Sequence, residues 1–337
     1  MKKNNILIIL LVVLLSGTWN LQAKSKENEQ TEKKSFWKLI ERPKQAYLFS
    51  YFMGSGDGLH FLYSYDGIMW KTLNEGNIFL KPEVGSAKLM RDPSIVQAPD
   101  GVFHMVWTTG WTENNIGYAS STDLIHWSEQ KEIPVMAHEA EVRNTWAPEL
   151  FYDKKTKDYY IIWASTIPGR FPVSGGSESD YNHRLYYTKT KDFENFSPTD
   201  LFYDPGFNVI DAAILKRKGL YYMFLKNETL EPVEKNIRMV ASKKLTEFPN
   251  TVSEPISGIE WAEGPSPLQI GKYTYVYWDN YRNHHYGGVR CKNLKKPEWE
   301  DISKIINFPA GIRHGTAFEV NESVLNKLLK MNENPQE

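Results

Sequence analysis

YSYDGIMW (Tyr63 to Trp70), YASSTDLIHW (Tyr118 to Trp127) and YTKTKDFENF (Tyr187 to Phe196) repeat one pattern: a short strand, a polar turn and a closing aromatic. Two weaker copies follow, VASKKLTEF (Val240 to Phe248) and VRCKNLKKPEW (Val289 to Trp299). The closing aromatics stand 57, 69, 52 and 51 residues apart. Between copies lies a second recurring block, an apolar strand, a tight turn and an aromatic-rich strand: PSIVQAPDGVFHMVW, PELFYDKKTKDYYIIW, AAILKRKGLYYMFL and PSPLQIGKYTYVYW. The turns PDG, KKTKD, KRKG and IGK are hairpin chemistry, and the β-branched and aromatic residues around them favour strands.

Five copies of about four strands at this period predict an all-β, five-bladed β-propeller. The fifth block predicts how the ring closes. Its inner strand is GTAFEV (Gly315 to Val320), near the C-terminus, while AYLFSYF and LHFLYSYD near the N-terminus supply its outer strands. Stitching one blade from both chain ends removes the exposed edge an open ring would present. A β-sandwich would leave the five equivalent copies unexplained. The predicted domain is 46–322, followed by a C-terminal segment, 323–337, that opens with a short amphipathic helix carrying Val324, Leu325, Leu328 and Leu329 on one side.

Upstream, Lys2 and Lys3 precede an apolar run from Ile6 to Leu15 and a small residue, Ala23, which reads as a signal peptide over 1–23. The apolar run is about half of what a membrane span needs. No cysteine lies near the expected cleavage point, so a soluble periplasmic or secreted protein is expected, with no membrane association beyond the signal. Residues 24–45 are charged and read as a polar linker. Without 1–23, Lys+Arg falls to 38 against 41 Asp+Glu, a formal charge of -3, which gives no electrostatic reason to expect nucleic acid. The single Cys291 cannot form an internal disulfide, and no Cys/His cluster offers a zinc site. A monomer is expected.

In a propeller the first strand of each blade lines the central channel. Before these strands stand Asp92 (RDPSIV), Glu149 (WAPELF), Asp211 (VIDAAIL), Glu263 (AEGPSPL) and His314 (RHGTAF), spaced 57, 62, 52 and 51 residues. At matching places in five blades they would converge on one mouth of the axis. Carboxyls gathered in a partly desolvated pit cannot all stay ionised, which is the condition for a general acid beside a general base. A lone Asp or Glu at a strand start often only caps a turn; the in-phase occurrence lifts the set above that reading.

These segments resemble glycoside hydrolase family 43 over essentially the whole mature chain, and the stretch from KLMRDPSIV to the STDLIHWSEQ turn looks closest to a Bacteroides-type, arabinofuranosidase-like branch. The resemblance implies Asp92 as general base, Asp211 as the carboxylate that modulates the acid, and Glu263 as general acid, in single-step inversion. It also implies that His314 reaches, mainly through water, a single axial metal ion, calcium in the first instance. Two departures are Glu149, where the WAP segment commonly ends in Asp, and Ala-Ala after Asp211; the first leaves the role of Glu149 open. Trp111, Trp146 and Trp261 are candidates to stack on sugar and Arg313 to bond its hydroxyls, with Glu149 grouped beside them, whereas Trp70, Trp127 and Trp299 read as blade packing. The implied activity is an exo-acting α-L-arabinofuranosidase on plant-type glycans, with β-D-galactofuranosidase and β-xylosidase as alternatives. An invertase-like retaining enzyme would need an upstream nucleophile motif the chain lacks. A phosphorylase would need a cation cluster, for which Arg91, Arg143 and Arg313 are the candidates. The non-enzyme alternative is a carbohydrate-binding propeller.

Overall fold

The computed structural model describes residues 45–258 and 261–331. The expected signal peptide and residues 24–44 of the polar linker lie outside the described residues, as does the C-terminal tail from 332; Gln45, expected in the linker, instead opens the first strand. Among the described residues nineteen strands form five sheets. The first blade is β4 (Arg91–Gln97), β5 (Phe103–Thr108), β6 (Ile116–Ser121) and β7 (Lys131–Ile133). The second is β8 (Trp146–Asp153), β9 (Asp158–Ser165), β10 (Arg184–Thr190) and β11 (Asp200–Tyr203). The third is β12 (Val209–Arg217), β13 (Leu220–Asn227) and β14 (Asn236–Ser242); the fourth is β15 (Glu263–Ile270), β16 (Tyr273–Asn280), β17 (His285–Cys291) and β18 (Glu300–Asp301). The closing blade pairs β19 (Thr316–Asn321) with β1 (Gln45–Tyr51), then β2 (His60–Ser64) and β3 (Lys71–Thr72), as the sequence predicts. Helix α1 (Glu322–Lys330) follows, burying Leu325 and Leu328. Among the described residues no helix is long and apolar enough to cross a membrane.

The repeated turn has a physical cause. In three blades an aspartate carboxylate accepts two successive backbone N–H bonds: Asp66 from Ile68 and Met69, Asp123 from Ile125 and His126, Asp192 from Glu194 and Asn195, all at 2.8–2.9 Å. The hydroxyls of Ser64, Ser121 and Thr190 accept a further N–H, from Gly67, Leu124 and Phe193. Those three residues all have positive φ (73°, 66° and 57°), so the side-chain bonds hold a backbone shape that two non-glycines would otherwise avoid. In the fourth-strand position of the third blade, Pro255 removes a donor and no regular strand forms. Ser253 N and Ile256 N still donate to Met239 and Ile237 at 2.8 Å each.

The core lies between blades. Along β5, Phe103, Met105 and Trp107 face the closing blade, while Val106 faces the second. Likewise Ile161 and Trp163 pack toward the first blade, and Tyr160, Ile162 and Ala164 toward the third. Second strands buried on both faces explain why their sequences are almost continuously apolar rather than alternating.

Candidate active site

Each inner strand of the first four blades carries a β-bulge near its start, between Arg91 and Ser94, Trp146 and Glu149, Ile210 and Ala213, and Glu263 and Ser266. The residue after the first of each pair has a left-handed backbone: Asp92 (φ 54°), Ala147 (φ 48°), Asp211 (φ 55°) and Gly264 (φ 60°). A bulge re-aims side chains at a strand end. Here it turns Arg91, Asp92, Trp146, Asp211 and Glu263 toward one cavity of about 570 Å³, which Trp111, Arg313 and His314 also line.

The bulges correct the expected phasing. Asp92 and Asp211 are equivalent; Glu263 stands one residue earlier, matching Arg91 and Trp146, and Glu149 stands two later, matching Ser94. Glu149 therefore does not join the cavity. It lines a separate axial space of about 130 Å³, where its carboxylate accepts bonds from Ser94 Oγ (2.9 Å) and Ile214 N (3.1 Å). Burial outweighs those bonds and pushes its pKa up to about 7. Trp261 is likewise absent from the cavity lining: its ring packs under the Arg282 guanidinium, 3.1 Å from the centroid, and near Tyr281.

Asp92 accepts a bond from Thr108 Oγ1 (2.8 Å), and the same hydroxyl accepts the N–H of Ala147 (2.8 Å), so one side chain satisfies two bulges. His314 Nδ1 lies 3.3 Å from Asp92 Oδ1 and 3.8 Å from Asp211 Oδ2. Burial opposes charge on all three groups. Attraction to Asp211 and Asp92, an imidazole bond to Asp92 and attraction to Glu263 nonetheless raise His314 to about 9. Burial raises Asp92 as well, but His314, Arg91 and Thr108 together bring it down to about 2. For Asp211 burial wins, aided by Glu263 and Asp92 against His314 and Lys226, and its pKa rises to about 6. Gly264 N donates to Asp211 Oδ2 at 2.9 Å. A Cβ on Gly264 would stand 2.4 Å from His314 Cδ2, so the Gly of the EGP segment is required by the imidazole's approach.

Glu263 Oε1 accepts from Arg313 Nη2 (2.9 Å) and Oε2 from Lys226 Nζ (3.3 Å). Arg313 Nε also donates to Asp279 Oδ2 (2.8 Å), and Lys226, only 2% exposed, meets Glu228 Oε2 at 2.7 Å. Glu228 in turn pairs with the fully buried Lys235. Lys226 and Asp279 were not among the expected site residues. Both belong to a second ring, the residues paired with the bulge from the neighbouring strand: Thr108, Ala164, Lys226 and Asp279. Their sequence signal is a polar residue near the end of an apolar strand, as in LYYMFLKN and YTYVYWDN. On the opposite wall Trp146 donates its indole N–H to the Trp111 carbonyl (3.0 Å), and the two rings meet edge to face at 5.9 Å.

The side chains near His314 do not assemble a metal site by themselves. His314 Nδ1 faces two carboxylates, which leaves Nε2 as the ring atom that would reach an axial ion, directly or through water. Among the described residues no three His, Cys, Asp or Glu side chains converge as a ligand set.

Two aspartates and a glutamate on one axial cavity, beside aromatic rings, include the pair of carboxyl groups that glycoside hydrolysis uses. The family described as "Probable glycosyl hydrolase domain", related to glycoside hydrolase family 43, matches residues 42–325, and the chain belongs to it. An α-L-arabinofuranosidase of Bifidobacterium longum subsp. longum is 26% identical over 187 residues, 48% of this chain but only 17% of that protein's length. The fold matches a thermostable family-43 glycoside hydrolase with TM-score 0.50 and 17% identity, covering 67% of this chain and 78% of that one. It also matches a family-43 protein from Bacillus licheniformis with TM-score 0.50 and 20% identity, covering 67% and 42%.

Proposed function

We propose that the chain is an inverting, exo-acting glycoside hydrolase with Asp92 as general base, Glu263 as general acid and Asp211 as the carboxylate beside the acid. The observation that carries the reading is the pairing of Asp92, held ionised by His314 and Thr108, with Glu263 on the same cavity. In one displacement, Asp92 takes a proton from water, the water oxygen attacks the anomeric carbon, and the bond to the leaving oxygen breaks as Glu263 gives that oxygen its proton. The backbone N–H of Gly264, next to the acid, ties Asp211 to it. Trp111 and Trp146 offer stacking faces. Arg313, already bonded to Glu263 and Asp279, orients the acid as well as reaching into the cavity.

Within this reading an α-L-arabinofuranoside is the first choice of substrate, in line with the partial match to the bifidobacterial enzyme, and the arabinofuranosidase-like, Bacteroides-type branch belongs to the same proposal. β-D-Galactofuranosides and β-xylosides follow. A panel of nitrophenyl glycosides, with proton NMR of the first-formed sugar, tests it. Release of a sugar with the opposite anomeric configuration is expected; retention refutes the base role of Asp92, and no release from any glycoside favours a carbohydrate-binding propeller. The axial ion that His314 reaches mainly through water belongs to the same proposal: chelation should lower the rate or the melting temperature, and no change in either would leave His314 a hydrogen-bonder of the channel. Export as a monomer is part of the proposal, checked by a mature N-terminus at Lys24 and by sedimentation.

A further inference from the structure

The cavity's four cations are not equivalent. Lys226, Arg313 and His314 each touch carboxylates of the site itself. Arg91 touches none among the described residues: its one hydrogen bond is a long contact, 3.4 Å, from Nη1 to the Ser55 carbonyl. Yet its guanidinium is held in place, 4.5 Å from the Phe52 ring centroid and 4.4 Å from that of Trp111. The loop behind it is shaped to admit it, since a Cβ on Gly56 (φ 117°) would stand 2.9 Å from Arg91 Cγ. A fixed guanidinium with unused, coplanar donors matches a carboxylate in bidentate fashion.

Position and charge narrow the ligand. Asp92, the adjacent residue, is ionised, so an anion on the floor of the cavity would be repelled. Trp111, over which Arg91 lies, is 50% exposed and marks the rim. A phosphate dianion would call for several free cations, but Arg313 is occupied by Asp279 and Glu263, and Arg143 donates to the Ser179 and Asp180 carbonyls. One free guanidinium suits one negative charge.

We propose that Arg91 binds the carboxylate of a uronic acid in the sugar unit across the scissile bond, so that the enzyme acts on acidic glycans. This rests on the glycosidase reading of the same cavity. The test uses the full chain carrying Glu263→Gln, so that binding is measured without turnover. Affinities are compared by calorimetry for uronic-acid-containing oligosaccharides and their carboxyl-reduced counterparts, with and without a second substitution, Arg91→Gln or Arg91→Lys. The acidic ligand should bind about 10- to 100-fold tighter than its reduced form. Arg91→Gln should erase that ratio, and Arg91→Lys should keep part of it. Equal binding of the acidic and reduced ligands overturns the proposal without any variant. So does a uniform loss on both ligands in a folded Arg91→Gln protein, which would make Arg91 a packing or hydroxyl-bonding residue. Acceleration of turnover by inorganic phosphate would replace the carboxylate with a phosphate acceptor and also overturn it. The glycosidase reading fails separately, if the wild-type chain cleaves neither ligand while still discriminating between them in binding.

Discussion

Replacing His314 by Gln removes the positive charge that faces both aspartates. At 3.3 and 3.8 Å, an effective dielectric near 20 gives attractions of about 5 and about 4 kcal/mol. Burial of the imidazolium opposes them, and a close opposite charge typically leaves a net effect of about one to three pH units on a carboxyl. Without it, only Arg91 and Thr108 offset the burial of Asp92, and Asp211 faces Asp92 with no cation between. Both carboxyls move upward, so the acid limb of kcat/KM should rise by about one to three pH units whichever of them sets it. The assay is kcat/KM on a nitrophenyl glycoside from about pH 3 to about pH 10. Superimposable acid limbs for wild type and His314→Gln would refute the argument. The same proton couples to stability. The folded pKa of His314, about 9, lies above the ordinary 6.5, so its contribution is complete below 6.5 and disappears as pH rises through about 9. The wild-type melting temperature should fall across that window, and the variant should lack this component.

Asp211→Asn should raise the melting temperature near pH 8 but much less near pH 4, because a folded pKa of about 6 against 3.8 means that ionising the buried carboxyl costs stability as pH rises; turnover should fall in the same protein. Asp92→Asn should lower turnover by several orders of magnitude for every leaving group, whereas Glu263→Gln should spare nitrophenols relative to sugar leaving groups, as parallel steady-state assays would show. Gly315→Ala places a Cβ 1.7 Å from the Ser50 carbonyl, a clash with backbone in the closing blade that should cost at least about 1–3 kcal/mol, read as a lowered midpoint in urea.

The ring, its closure and the three carboxylates were legible because they depend on local chemistry that repeats: the Asp66, Asp123 and Asp192 turns, and the strands buried on both faces. Phase within the site was not legible. The bulges shift pairing by positions that residue spacing does not reveal, so Glu149 and Glu263 appeared equivalent although one lines the axial space and the other the cavity. Lys226 and Asp279 were hidden for a different reason. Their importance comes from the strand paired with the bulge, and a polar residue closing an apolar strand has no distinctive spacing. Trp261 was misplaced because stacking on Arg282 and stacking on sugar demand the same residue type.

The joining of β19 to β1 also has a cost in assembly. Thr316 N–H donates to Ser50 Oγ across 266 residues of chain, and drawing together ends so far apart costs about 5 kcal/mol in the logarithmic term for loop entropy alone. That cost is met only when the ring shuts, which favours assembly in which the intermediate blades gather before the last strand docks. A chain emerging N-terminus first holds β1, β2 and β3 as an incomplete sheet, its inner edge unpaired, until nearly the whole sequence is available. Through that interval the edge is a template for pairing with other chains. Yield on refolding should therefore fall with protein concentration more steeply than stability alone would dictate.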